Sequence, residues 1–167
     1  MIRHAMLLLA MLALPSLAQA QEAALSLAER QYAQIVALEG RWQVAETDAL
    51  QIVFEKTARG HTMVERWETA SGLHSITVYH LDGDRLIATH YCPQGNQPRL
   101  ESRAADGDRI SFRFLDITGF DEGESHTQAL EFRALDDGTI ERTEVYIGPQ
   151  GLGAPSTYTL TRMADAG

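Results

Sequence analysis

Beyond Gly40 the chain loses the three- and four-residue spacing of a helix, and its apolar residues alternate with polar ones in short runs. Turn signals break those runs about every ten residues, the pattern of an antiparallel all-β domain. Asp82-Gly83-Asp84, Ala105-Asp106-Gly107-Asp108 and Asp136-Asp137-Gly138 each set aspartate beside glycine. Aspartate bonds its own backbone in turns and glycine accepts positive φ, so these stretches mark tight hairpins. Ala58-Arg59-Gly60 and Thr69-Ala70-Ser71-Gly72 are weaker turns of the same kind. Strands are therefore expected near 41–47, 50–57, 61–68, 73–81, 85–92, 98–104, 109–115, 127–134, 139–147 and 156–163. Three connections are longer: Pro93 to Pro98, Thr118 to Ser125, and Gly148 to Pro155.

Sequential strands joined mainly by hairpins form a meander, whose two edges stay unpaired unless the sheet closes on itself. The strand faces suit closure. Ile110, Phe112 and Phe114 share one face while Ser111 and Arg113 take the other, and Leu130, Phe132 and Ala134 alternate with Glu131 and Arg133. The expected fold is all-β, an up-and-down antiparallel β-barrel of about ten strands, apolar inside and polar outside. A two-layer sandwich is the alternative.

Residues 1–20 read as a secretory signal peptide. Met1-Ile2-Arg3-His4 is a basic start, Ala5 to Leu17 an apolar run, and Ala18-Gln19-Ala20 a small-x-small exit. The run is shorter than the ~20 residues that a spanning helix needs, and Pro15 interrupts it. A periplasmic or secreted protein starting near Gln21 is expected, with no membrane span after processing. Fourteen basic residues against 23 acidic ones, net −9, argue against a nucleic-acid partner. A single cysteine excludes an intramolecular disulfide framework, and Cys92 is expected to be a buried thiol. Residues 25–38 read as a helix with Leu25, Ala28, Tyr32, Ile35 and Val36 on one face. Ser26 and Glu29 have capping-box spacing, and Gly40 is expected to end the helix. The chain thus divides into a signal peptide (1–20), an N-terminal helical segment (21–39) and a barrel domain (40–167).

Gly40-Arg41-Trp42 opens the first strand directly after the helix, and Arg162 lies in the last, within Thr159-Leu160-Thr161-Arg162. These residues resemble the G-x-W and closing-strand arginine signature of lipocalins and their calycin relatives. The resemblance implies that Gly40, Trp42 and Arg162 close one barrel end, with the arginine across the indole. A guanidinium so placed gains ~0.5–2 kcal/mol. In strand count the chain is also similar to fatty-acid-binding and nitrobindin-like barrels. Leu38-Glu39-Gly40-Arg41-Trp42 and the stretch from His90 to Pro98 further resemble small exported bacterial proteins of lipocalin-like outline, and no activity comes with that likeness. Two departures stand out. Gln43-Val44-Ala45 replaces the glycine-rich nitrobindin-type opening, and no disulfide ties a terminus to the barrel.

His61, His74, His80 and His90 lie in or beside three consecutive strands. With a bulge in the Asp82-Gly83-Asp84 hairpin, His74, Ile76, Val78 and His80 would share a face with Leu86, Ala88, His90 and Cys92, a set that could bind zinc, copper or haem iron. A one-residue slip separates them, and ordinary strand histidines are the simpler reading, so no metal or cofactor is expected. Glu65, with Met63 and Trp67 on its face, is either a carboxylate inside the cavity or a solvated one. Glu131, Arg133, Glu141, Arg142 and Glu144 read best as cross-strand ion pairs on the outer wall. Arg142 and Tyr146 nonetheless share a face, as inward Arg–Tyr pairs do in fatty-acid-binding barrels. His90 and Cys92 also share a face, but the surroundings of a catalytic thiol are missing.

The expected function is that of an exported small-molecule binding barrel for a hydrophobic or aromatic ligand. Glu65, Trp67, Tyr79, His90, Tyr91, Phe112, Arg142 and Tyr146 are its candidate lining. The alternatives are an enzyme working in the cavity through Glu65 or a histidine, and a structural or interaction module of the cell envelope. No catalytic residue and no oligomeric state is assigned.

Overall fold

The capping box at Ser26 starts helix α1 (Leu27–Val36). Glu29 N–H donates to Ser26 Oγ at 3.2 Å, and Ser26 N–H donates to Glu29 Oε2 at 2.7 Å. A computed structural model of the chain describes residues 25–104 and 108–164. The signal-peptide reading of 1–20 and the Ala105-Asp106-Gly107 part of one turn lie outside those residues. After α1 come β1 (Gly40–Val44), β2 (Leu50–Thr57), β3 (Thr62–Thr69), β4 (Gly72–Asp82), β5 (Arg85–Tyr91) and β6 (Gln97–Arg103). They are followed by β7 (Arg109–Thr118), β8 (His126–Ala134), β9 (Ile140–Gly148), the two-residue β10 (Gly151–Leu152) and β11 (Ser156–Arg162). Each expected strand is present. Only β10 escapes a sequence reading, because two residues cannot show a period.

Every long strand pairs antiparallel with its chain neighbour, and β11 pairs with both β9 and β1. Ten strands therefore close into an up-and-down barrel. β10 lies along the end of β9, on the edge that β11 follows further down. Closure leaves no long unpaired edge, which is the reason a meander of this length curls up. No helix among the described residues is long and apolar enough to cross a membrane.

The two barrel ends differ. One is capped by α1. Tyr32 Oη donates to the Gly60 carbonyl and Gln31 Nε2 to the Arg103 carbonyl, each at 2.9 Å, which ties the helix to two connections of that end. Trp42, 2 % exposed, donates its indole N–H to the Leu38 carbonyl at 2.7 Å. Arg162 lies over the Trp42 ring at 4.3 Å and donates to the carbonyls of Ala37 (2.9 Å) and Glu39 (2.6 Å). One guanidinium thus caps the helix C-terminus and joins the first strand to the last. Gly40 does not end the helix, as its sequence position suggests. The helix stops at Ala37, and Gly40 serves the crossing instead: its φ is +129° and a Cβ there would meet Arg162 Nη1 at 2.8 Å.

Inside, Phe54, Met63, Tyr79, Phe112, Leu100 and Arg142 are fully buried and fill the middle of the barrel. Outside, Arg109 pairs with Glu131 (3.2 Å) and Arg133 with Glu141 (2.5 Å), so three of the five charged residues expected on the wall are there, while Arg142 and Glu144 turn inward instead. Cys92 is half-buried rather than fully buried.

Candidate ligand-binding site

Strand alternation decides which polar groups enter the barrel. In β3, Met63, Glu65 and Trp67 point inward and Thr62, Val64 and Arg66 outward, so Glu65 sits inside with no exposed surface. In β9 the inward set is Ile140, Arg142 and Glu144, and Tyr146 continues it. Closure brings these strands into reach of one another. Arg142 Nε donates to Glu65 Oε1 at 2.7 Å and Arg142 Nη1 to Glu144 Oε2 at 2.8 Å. The Trp67 indole N–H donates to Glu65 Oε1 at 2.5 Å, and the Tyr79 hydroxyl to Glu65 Oε2. The guanidinium also lies 4.5 Å from the Trp67 ring centre and 5.8 Å from that of Phe132. Glu65 therefore accepts three hydrogen bonds, and Arg142 is held by two carboxylates and two aromatic faces.

These surroundings set the charge states. Burial alone would lower the Arg142 pKa, but Glu65 and Glu144 outweigh it and hold the guanidinium charged. Burial first, and the Glu65 carboxylate second, push the Tyr79 phenol well above its usual value. Tyr146 is pushed up to about 12 by burial and by Glu144. His90 stands with Nδ1 3.0 Å from Thr77 Oγ1, and burial together with the Arg142 charge lowers its pKa to about 4. It is a neutral imidazole at neutral pH.

The structure gathers Glu65, Trp67, Tyr79, His90, Phe112, Arg142 and Tyr146 inside the barrel; Tyr79 and Phe112 meet with ring centres 5.7 Å apart. Tyr91 is not among them. It follows His90 by one residue and so lies on the outer face, half exposed. The histidine face does not form. β4 and β5 pair in register down to Asp82 and Arg85, with no bulge, so His80 faces Ile87 across the ladder and His90 faces Thr77. His80 therefore points outward, away from His90, and His74 lies exposed at the β3–β4 bulge opposite Trp67 and Glu68. Among the described residues no three His, Cys, Asp or Glu side chains stand close enough to hold a metal ion.

Thr77, Thr127 and Tyr158 went unread as interior groups, and Glu144, expected on the outer wall, is interior as well. Glu144 had a usable signal, since it alternates with Arg142 and Tyr146. Tyr158 shares a cross-strand position with Arg142, and its ring meets Trp67 edge-on at 5.2 Å. The Thr127 hydroxyl, opposite Tyr146 in the ladder, stands near that phenol but off hydrogen-bonding geometry, so Oγ1 is buried without a partner.

The charged cluster grades into the end of the barrel opposite α1. Glu144, Trp67 and His90 keep 6–7 % of their surface exposed, whereas Glu65 keeps none. A cleft of about 510 Å³ opens there beside Tyr146, walled by Ser125 and the Gly148–Gly153 turn. A second, of about 400 Å³, shares Gly148 with it and is lined by Phe120, Glu122, Glu124 and His126. At the helix end, a third cleft of about 300 Å³ lies among Leu38, Trp42, Ile110, Phe132, Ile140 and Arg162. None of the three is lined by Glu65, Tyr79 or Arg142.

No family model and no curated protein matches the sequence.

His90 makes the site pH-sensitive. The unfolded chain takes up its proton near pH 6.5 and the folded one only near pH 4, so stability is full above about 6.5 and falls as the pH drops toward 4. That window is worth about 3 kcal/mol for a shift of this size. His90→Gln, neutral throughout, is expected to lose this part of the slope. Urea unfolding of both proteins at pH 7 and pH 4.5 checks it, and parallel slopes would refute it.

Proposed function

We propose that the protein is an exported, calycin-like barrel that binds a small molecule with an apolar or aromatic body at the end opposite α1. The Glu65–Arg142–Glu144 group serves as the floor of the site. The observation carrying this reading is that ion group. Taking ions out of water costs several kcal/mol each, and replacing a buried ion group with apolar side chains of the same volume is often neutral or stabilising. A barrel that only had to fold would be served as well by leucine and methionine. Charged and titratable groups with shifted pKa values, set among aromatics at a barrel mouth, are a usual mark of a binding site. The Gly40–Trp42–Arg162 closure supports the calycin likeness and leaves the opposite end as the entrance.

The same geometry argues against two other roles. Arg142 already holds two carboxylates, so it is not set up to receive a fatty-acid carboxylate. Glu65 accepts from Arg142, Trp67 and Tyr79, so it is not poised to take a proton from a substrate. A purely structural module is favoured by the filled middle of the barrel, and the binding experiment separates the two. Native mass spectrometry of protein purified from the periplasm should show a reproducible bound mass. Uptake of a naphthalene-based fluorophore should quench Trp67 emission, a response that Trp67→Phe removes. A clean apo mass with no uptake of any fluorophore would leave the structural module.

A further inference from the structure

We infer that the molecule held at this end is a protonated organic amine, its N–H donors turned toward Glu144 and Thr127 and its body against Tyr146 and Tyr158. This rests on the binding reading above and names the chemistry of its ligand.

Charge is the first argument. The five connections at this end (45–49, 70–71, 92–96, 119–125 and 149–155) contain Glu46, Asp48, Asp121, Glu122 and Glu124 but no lysine or arginine. The hydrogen bonds of Glu46 and Glu124 come from neutral N–H groups of Thr159, Asn96 and Asp121, so no cation cancels these carboxylates. Inside, one guanidinium stands against Glu65 and Glu144, which leaves the floor negative as well. Like-signed carboxylates around a low-dielectric mouth concentrate cations and repel anions.

The second argument is an unsatisfied interior. Thr127 Oγ1 is buried, belongs to an inward side chain and has no partner. Asn96 Oδ1, fully buried in the rim loop whose Nδ2 holds Glu124, has none either. Glu144 gives one oxygen to Arg142; its Oε1 accepts from no described residue and, unlike the other two, keeps some contact with solvent. Buried acceptors left empty in a folded protein mark a place for a donor. An ammonium with N–H groups supplies donors and charge together, which an alcohol or a quaternary ammonium does not. Third, the rings are in place. The Glu144 charge is felt by both Tyr146 and Tyr158, and Tyr158 packs on Trp67, so an amine reaching Glu144 passes aromatic faces. Cation–π attraction of this kind adds up to ~2 kcal/mol once water is displaced.

The test is calorimetry at pH 7 with three probes that share one ring system: 1-naphthylmethylamine, 1-naphthalenemethanol and 1-naphthoic acid. The amine is expected to bind at least about tenfold more tightly than the alcohol, with the acid weakest. Glu144→Gln should bring amine and alcohol near parity by weakening the amine. Because that change also strips a partner from Arg142, a second variant sits on the exposed rim. Asp121→Asn/Glu122→Gln should slow amine association and reduce its dependence on salt. Equal binding of amine and alcohol, or tighter binding of the acid, would overturn the amine assignment and leave the binding reading intact. Failure of all three probes would remove both.

Discussion

Arg142→Met should be the most damaging single substitution in the barrel, with a loss of about 3–5 kcal/mol in unfolding free energy. The side chain that replaces it fills much the same volume, so the loss is electrostatic. Glu65 and Glu144 would remain, two carboxylates facing one another in a space that admits almost no water. Denaturant unfolding of the variant measures the loss. A double-mutant cycle then separates the causes. If the damage is unpaired charge, adding Glu65→Gln should restore part of it, with a coupling of about 1–3 kcal/mol between positions 65 and 142. If the two changes simply add, the ion group is not a coupled unit, and the argument that it was retained for a ligand loses its footing.

Where the sequence could be read and where it could not follows from the range of the forces involved. Hairpins are local: Gly83-Asp84 and Asp136-Asp137-Gly138 specify their turns within a few residues, and the strands between them carry their own alternation. Closure was also legible, because Gly40-Arg41-Trp42 and Arg162 mark the strands that meet. Facing was the difficulty. A strand's period says that Glu65 travels with Met63 and Trp67, but not which way they point, because each face of β3 carries a charge, Glu65 on one and Arg66 on the other. Arg142 lies 77 positions away, and only barrel closure joins them. Arg142 and Glu144 read as one outer-wall group with Glu131, Arg133 and Glu141 because the charges run together in two adjacent strands, but one step along a strand reverses the side. The histidine grouping depended on a bulge that the tight Gly83-Asp84 turn does not contain.

Trp42→Ala tests the opposite end and should cost about 3–5 kcal/mol, close to the Arg142 variant but for a different reason. The indole is almost wholly buried beneath α1, so its removal opens a hole that the backbone of β1, paired on both sides, cannot collapse into. Two further contacts go with it. The Leu38 carbonyl loses its donor, and Arg162 loses the ring it lies on. Arg162→Ala leaves the indole in place but removes the donors to the Ala37 and Glu39 carbonyls, and a smaller loss of about 1–3 kcal/mol is expected. The location of the damage is as informative as its size. Hydrogen exchange in Trp42→Ala should quicken first in α1 and at the β1–β11 seam, while β3 and β9, which hold Glu65 and Arg142, keep their protection. Naphthylmethylamine binding should survive at temperatures where the variant stays folded, since Phe132, which reaches both the cleft beside Trp42 and the Arg142 guanidinium, is held in β8 by its own ladder. Loss of binding together with the plug would mean that the two ends are mechanically joined, and would place the ligand in the cleft beside Trp42 instead.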